Sequence, residues 1–261
     1  MKKMILRLAT LILVLIAGSS IVMAGEDKPT ASADIGVFNK YVWRGYELGD
    51  DSTIIQPSTT ISYKDFSFNL WGNLDTRMDD ATHSNQFNEI DMTLSYDKEL
   101  GPVCVGAGYI YYGLDGINDS EEIYLSIGID TILSPTFTVY REIAHLPSWY
   151  LSFGLSHSFE LPKDITLDLA GSVGYYYADN ADDFAEYDSQ LVATNDAYRS
   201  FHDGLVSIGL TIPVTEYITI SPVVSYSFPL TGDADNHIAA VNAYSDDSDY
   251  VYGGATVSIS F

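Results

Sequence analysis

The last twelve residues, Tyr250 to Phe261, constrain this chain more than any other stretch. Ala255, Val257, Ile259 and Phe261 fall on one parity, and Gly254, Thr256, Ser258 and Ser260 on the other. A strict period of two is the signature of a β-strand with one oily face and one polar face. Such a strand cannot stand alone. It needs neighbours with the same alternation, and those neighbours must deal with its oily face.

The opposite terminus reads differently. Lys2, Lys3 and Arg7 precede an apolar run from Leu8 to Val22, and Val22-Met23-Ala24 before Gly25 has the small-residue pattern of a cleavage site. We expect a secretory signal over residues 1–24, a polar linker over 25–33 and a single domain over 34–261. No further apolar run reaches the ~18 residues of a membrane-spanning helix. A membrane form of this chain must therefore be a closed barrel, since lipid leaves open sheet edges unsatisfied. Three of the 12 Lys and Arg residues lie in the leader, leaving nine against 36 Asp and Glu. That acidity excludes a nucleic-acid partner, which requires a basic footprint, and favours cations over anions. Cys104 is the single cysteine, so no disulfide within the chain holds the fold.

Twelve strand-like segments follow the linker: Asp34–Tyr46, Thr53–Tyr63, Phe66–Thr76, Phe87–Asp97, Pro102–Tyr112, Glu122–Thr131, Thr136–Ala144, Trp149–Phe159, Ile165–Ala178, Gly204–Pro213, Tyr217–Phe228 and Asp249–Phe261. Every even-numbered segment up to the tenth is followed by a short link: Lys64-Asp65, Lys98–Gly101, Ile132–Pro135, Glu160–Asp164 and Val214–Glu216. The other links are mostly longer and acidic, notably Arg77–Gln86, Gly113–Glu121, Asp179–Asp203 and Pro229–Ser248. Short turns alternating with long loops predict an all-β, antiparallel up-and-down transmembrane β-barrel of about 12 strands, with tight periplasmic turns and acidic outer loops.

A soluble sandwich would share the period of two, so the aromatics are needed to separate the two folds. On the oily parity, Tyr63, Phe66, Tyr96, Phe159 and Phe261 lie near the short turns. Trp43, Tyr111, Trp149, Tyr177 and Phe228 lie near the long loops, with aliphatics between the two groups. Two aromatic belts around an aliphatic band match the two interfaces of a bilayer. Arg141 breaks the oily parity of its segment and must sit near the headgroups or beside a bulge. Pro57 and Pro222 each remove a ladder donor and suggest bulges or rim positions.

The first segment carries Tyr41-Val42-Trp43-Arg44-Gly45, followed by Gln56-Pro57, Phe68-Asn69-Leu70-Trp71-Gly72-Asn73 and the Gly108–Tyr112 run. This combination resembles the TorF-type porin family of bacterial outer-membrane proteins. The resemblance implies an outer-membrane barrel with a pore. It supplies no substrate.

Chemistry of other kinds finds little support. Neither a Gly-x-Ser-x-Gly elbow nor a His-Glu-x-x-His pair is present. His157 between Ser156 and Ser158 is the one hint of a membrane hydrolase. The acid clusters of the outer links, including Asp115/Asp119/Glu121/Glu122, read as a solvated rim. We expect no enzyme activity, no cofactor and no metal. Lys40 and Arg44 share one parity of their segment and Glu89, Asp91, Asp130, Glu142 and Asp168 fall on inward parity in theirs, which makes these seven the candidates for the lumen wall. The expected function is passive diffusion of small solutes or cations, the alternative a structural or receptor barrel binding through its loops. Expected partners are outer-membrane lipid and lipopolysaccharide, and the barrel-assembly machinery through the C-terminal strand. The last segment should close the barrel against Asp34–Tyr46, beside Arg44.

Overall fold

The computed structural model describes residues 28–49, 52–76, 87–242 and 244–261. The expected leader Met1–Ala24 and the link Arg77–Gln86 lie outside the described residues.

Twelve antiparallel strands form one closed barrel. They are β1 (Thr30–Phe38), β2 (Ile54–Tyr63), β3 (Phe66–Asp75), β4 (Phe87–Leu100), β5 (Val103–Leu114), β6 (Ser120–Ile129), β7 (Thr136–Glu142), β8 (Ser148–Glu160), β9 (Thr166–Ala178), β10 (Arg199–Pro213), β11 (Ile218–Pro229) and β12 (Tyr250–Ser260). Each pairs with its neighbours in sequence, and β12 closes the ring on β1 from Ser32 opposite Ser260 to Phe38 opposite Gly254. Phe261 extends the seam by exchanging backbone hydrogen bonds with Ala31. The expected fold class and closing pair are both present.

Alternation sets which side chains face out. In β4, Ile90, Met92, Leu94 and Tyr96 are exposed on the outside of the barrel, while Glu89 is buried within it. Leu125 and Val251 are 67% and 66% exposed. A soluble core cannot leave such a continuous apolar girdle open to water. Tyr63, Phe66, Tyr96, Phe159 and Phe261 are exposed at the short-turn end, and Trp149 and Tyr177 at the loop end.

Two local expectations are corrected, and a third, for Arg141, is met. The first strand begins at Thr30, inside the expected linker, and ends at Phe38, so Lys40 to Tyr46 is not wall. Pro57 and Pro222 lie in bulge-free stretches. The register of β1 with β2 runs unbroken through Pro57, and that of β11 with β12 through Pro222. Their missing N–H groups interrupt pairing on the other side only, where the register resumes unchanged. Arg141 sits on the outside, one residue from the end of β7, and holds Asp179 through two hydrogen bonds of 2.9 and 2.7 Å. The rim position explains how an outward charge is tolerated, because its cost falls toward zero near an interface.

Candidate functional site

The segment that leaves the wall after β1 builds the site. Val42–Trp43 and Tyr46–Glu47 form a two-stranded hairpin, with Val42 opposite Glu47 and Trp43 opposite Tyr46. The turn residues Arg44 and Gly45 have φ of 48° and 83°. Two consecutive positive φ values are the hallmark of a type I′ turn, the two-residue reversal whose twist suits a hairpin. Glycine adopts that conformation freely, but an L-residue pays about 1–2 kcal/mol for it, so Arg44 is held there by what its side chain meets.

The hairpin projects across the lumen and touches every strand from β3 to β10. Tyr41 packs on Trp71 of β3 at 5.7 Å between ring centroids and hydrogen-bonds Glu89 of β4. Trp43 meets Tyr112 of β5 edge-on at 6.0 Å. Tyr46 lies 6.3 Å from Tyr176 of β9 and 5.0 Å from His202 of β10. His202 Nε2–H donates to the Arg44 carbonyl at 3.0 Å.

Arg44 is the keystone. Its Nη1 and Nη2 donate to Oε1 and Oε2 of Glu122 on β6 at 2.7 and 2.8 Å. The guanidinium carbon lies 4.3, 4.5 and 4.2 Å from the ring centres of Trp43, Tyr140 and Tyr150. The Tyr112 hydroxyl donates a further 2.9 Å hydrogen bond to Glu122 Oε2. Both charged side chains are about 95% buried, with 6% and 5% exposure. A paired guanidinium over aromatic faces is among the few ways to bury a positive charge. The tyrosines belong to a ladder across the inner wall. Tyr124, Tyr140, Tyr150 and Tyr176 stand directly opposite one another on β6 to β9. Gly108 of β5 makes room for the Tyr124 ring, since a Cβ there would lie only 2.4 Å from it.

Two outer-loop elements pack behind the hairpin. Helix α1 (Gly232–Val241) is capped by Thr231, whose side chain accepts from the Ala234 N–H, and carries Asp233 and Asp235 in its first turn. A ten-residue helix is marginal in isolation. This one is held by burying Ala234, His237, Ile238 and Ala239. The second element is the hairpin of Ala185–Tyr187 and Ala193–Ala197. His237 stacks on Tyr198 at 3.9 Å and donates from Nδ1 to the Ala185 carbonyl at 3.1 Å, which ties helix and loop together. Glu47 joins the first hairpin to the same assembly by accepting from Ser245 Oγ at 3.1 Å and pairing with Lys40. The outer half of the lumen is therefore filled. Toward the short-turn end the inner wall carries small polar groups, with Asn69 donating to Ser58 and Thr60 at 2.8 and 2.9 Å and Ser62 paired with Ser67.

The sequence-derived lumen candidates divide accordingly. Glu89 lies beneath Tyr41, and Asp91 shares its inward parity. Asp168 accepts from Ser158, Thr166 and Thr211, the shortest at 2.6 Å. Glu142 instead braces the turn after β7, accepting from the N–H groups of Ala144, His145 and Leu146 at 2.9–3.1 Å. Asp130 is corrected: β6 ends at Ile129, and Asp130 is exposed in the following turn. Trp43 is corrected as well. It lies in the lumen against Tyr112 rather than at a membrane interface, because its segment has left the wall. The seam does not lie beside the Arg44 contact, which reaches β6 on the far side of the ring. Glu122, taken as part of an acidic rim, is the partner the sequence reading missed. Its opposite parity to Ile123 and Leu125 was the available signal. His157 cannot pair with its neighbouring serines as a hydrolase would. It shares outward parity with Phe159, against which its ring packs at 4.4 Å, while Ser158 turns inward to Asp168.

Burial holds the His237 imidazole neutral, pushing its pKa down to about 4 from the usual 6.5. A depressed histidine contributes stability that is complete above pH 6.5 and is lost as the pH falls toward 4, because the opened state takes the proton first. The shift corresponds to roughly 3 kcal/mol. Acidification from pH 7 to 4 is expected to lower the unfolding temperature of the detergent-solubilised barrel, and His237→Asn is expected to flatten the part of that profile between pH 6.5 and 5. An unaltered profile in the variant would refute the assignment.

No family model matches this chain, and no curated protein does. Neither comparison supports the TorF-type resemblance, which rests on its motif residues alone. Solved structures do match. The NanC porin aligns with a TM-score of 0.52 at 11% identity, covering 88% of this chain and 98% of its own. A bacterial polysaccharide outer-membrane secretin gives 0.44 at 8% identity, covering 90% and 99%. An anion-selective porin from Comamonas acidovorans gives 0.36 at 10%, covering 90% and 99%. The last two scores are too low to carry weight, and the first likeness is one of fold: the chain has a porin-like β-barrel.

Proposed function

We propose that this protein is an outer-membrane porin that passes small solutes or cations by passive diffusion, and that its outer mouth is closed in this conformation by the Tyr41–Glu47 hairpin. The observation that supports it most is the pairing of an outward apolar girdle with a polar interior in a closed twelve-stranded barrel. Among β-sheets only a closed barrel satisfies every backbone group in lipid, and a filled outer half gives such a pore a gate. Asp168 on the inner wall, with Arg44 already neutralised by Glu122, favours cations.

The filled lumen also favours a second reading, a barrel that binds through its outer loops and conducts nothing. Planar bilayers separate the two. The pore reading expects infrequent steps from the intact protein, more frequent steps after deletion of Tyr41–Glu47, and K⁺ preferred over Cl⁻ in both. Silence from folded protein with the hairpin removed would sink it and leave the binding barrel.

A further inference from the structure

We propose that the barrel wall carries a guanidinium-recognition site, formed by Glu122, Tyr112, Tyr140 and Tyr150, which Arg44 fills as a tethered occupant and which a free guanidinium-bearing solute can take in its place.

The receptor half belongs wholly to the wall. Tyr112, Glu122, Tyr140 and Tyr150 come from β5, β6, β7 and β8, four consecutive strands whose register is continuous from Ile110 opposite Glu122 to Tyr140 opposite Tyr150. Removing the hairpin takes away Arg44 and Trp43 and leaves these four residues fixed by the sheet. Each contributes a distinct element of recognition. Both Glu122 oxygens are engaged by two separate guanidinium nitrogens, the parallel fork that a planar cation with several donors makes and an ammonium cannot. The Tyr112 hydroxyl, at 2.9 Å from Oε2, holds the carboxylate in that orientation. The Tyr140 and Tyr150 rings, at 4.5 and 4.2 Å, supply faces for a flat, weakly hydrated cation. The burial of Glu122 makes the empty site costly, because an unpaired carboxylate would face the aromatic ladder. An occupant is required, and the chain provides one from its own hairpin.

Tethering places the native occupant at an effective concentration in the millimolar range or above. A free solute therefore competes poorly against the intact hairpin. It should bind readily once the tethered side chain is cut back. The ligand class is a small organic cation carrying a guanidinium or amidinium group. This rests on and deepens the reading of the barrel as a cation-preferring passage, in which such solutes would open the mouth only at concentrations that exceed the effective concentration of the tethered Arg44.

The test is chemical rescue of Arg44→Ala in detergent. Low-millimolar methylguanidinium should raise the temperature at which the folded barrel unfolds, saturably, at a concentration about tenfold below that needed for methylammonium. The Arg44→Ala/Glu122→Gln double variant should show no such response, nor should wild type at the same concentrations. Equal effects of the two cations, or a response that survives loss of Glu122, would overturn the proposal. Should Arg44→Ala fail to fold unaided, the same comparison is made on the yield of refolded barrel, and yields that do not distinguish the two cations overturn it equally. The measurement does not involve conduction. A barrel silent in bilayers but rescued in detergent would refute the pore and keep the site, whereas a conducting barrel without rescue would refute the site alone.

Discussion

Replacing Glu122 with Gln is expected to cost the folded barrel about 3 kcal/mol, at the lower end of what breaking a buried ion pair costs. The Coulomb attraction is only part of the reason. Arg44 is 6% exposed and gives two nitrogens to Glu122 at 2.7 and 2.8 Å, with a Tyr112 hydroxyl completing the carboxylate's partners. Glutamine keeps the shape but offers one acceptor oxygen and no charge. The guanidinium is then left in an aromatic enclosure with cation–π contacts worth about 2 kcal/mol or more each but with no counter-ion. It cannot escape by losing its proton, because arginine stays charged in proteins. The remaining route is expulsion of the hairpin. The temperature at which the compact, fast-migrating form converts to the slow form on a gel should fall, and conductance should rise. Replacing the pair together, as Arg44→Met with Glu122→Leu, should recover much of the loss, since apolar substitutes for a buried pair are often neutral or stabilising. A Glu122→Gln barrel that migrates and melts like wild type would show that the pair contributes nothing.

How much of this was legible in the sequence depends on which side of a segment meets a uniform environment. The wall strands face lipid-like exposure on one side and a polar interior on the other, so alternation in β4, β9 and β11 assigns both faces correctly. The same rule fails for Tyr41–Glu47. Its alternation is real, since Trp43 and Tyr46 do pair across a short ladder. However, a hairpin inserted into an aromatic lumen is surrounded on both sides, and parity no longer tells inside from outside. The reversal itself was visible as Arg44-Gly45 between alternating residues, a weak hairpin signal next to Asn-Gly or Asp-Gly. The inward tyrosines were visible too. Tyr124, Tyr140, Tyr150 and Tyr176 each hold the parity opposite to exposed aliphatics, but attention to charged lumen residues passed over them. Helix α1 carried a start signal in Thr231 with Asp233 and Asp235 behind it, and a ten-residue element within an acidic loop gave that signal little support from periodicity. No local pattern could show that Arg44 would reach Glu122, 78 residues on, because that contact depends on closure of the ring.

Gly45→Val should separate the gate from the wall. Gly45 has φ of 83°, a conformation in which an L-residue costs about 1–2 kcal/mol and a β-branched one more. Space is also lacking: a Cβ there would lie 3.1 Å from both Asp203 Cβ and Ile238 Cδ1, tighter than ordinary contact, with the wall on one side and α1 on the other. Both surfaces would have to give way. The combined penalty is of order 2–4 kcal/mol, and it falls on the seating of the hairpin, because Gly45 lies outside the twelve-stranded ladder. Gly116 provides the control. Its φ is 79°, almost the same, but nothing lies within 4 Å of a Cβ built on it. Gly116→Val therefore carries the backbone strain without the collision, at a turn on the rim. The expected outcome is a pair of barrels that both insert and both migrate as folded, of which only Gly45→Val shows conductance raised several-fold over wild type. The difference between the two variants isolates the hairpin's hold on the lumen from the general cost of forcing a side chain into left-handed backbone. Equal conductance from the two would mean that the Arg44 hairpin, however tightly packed, does not close the passage.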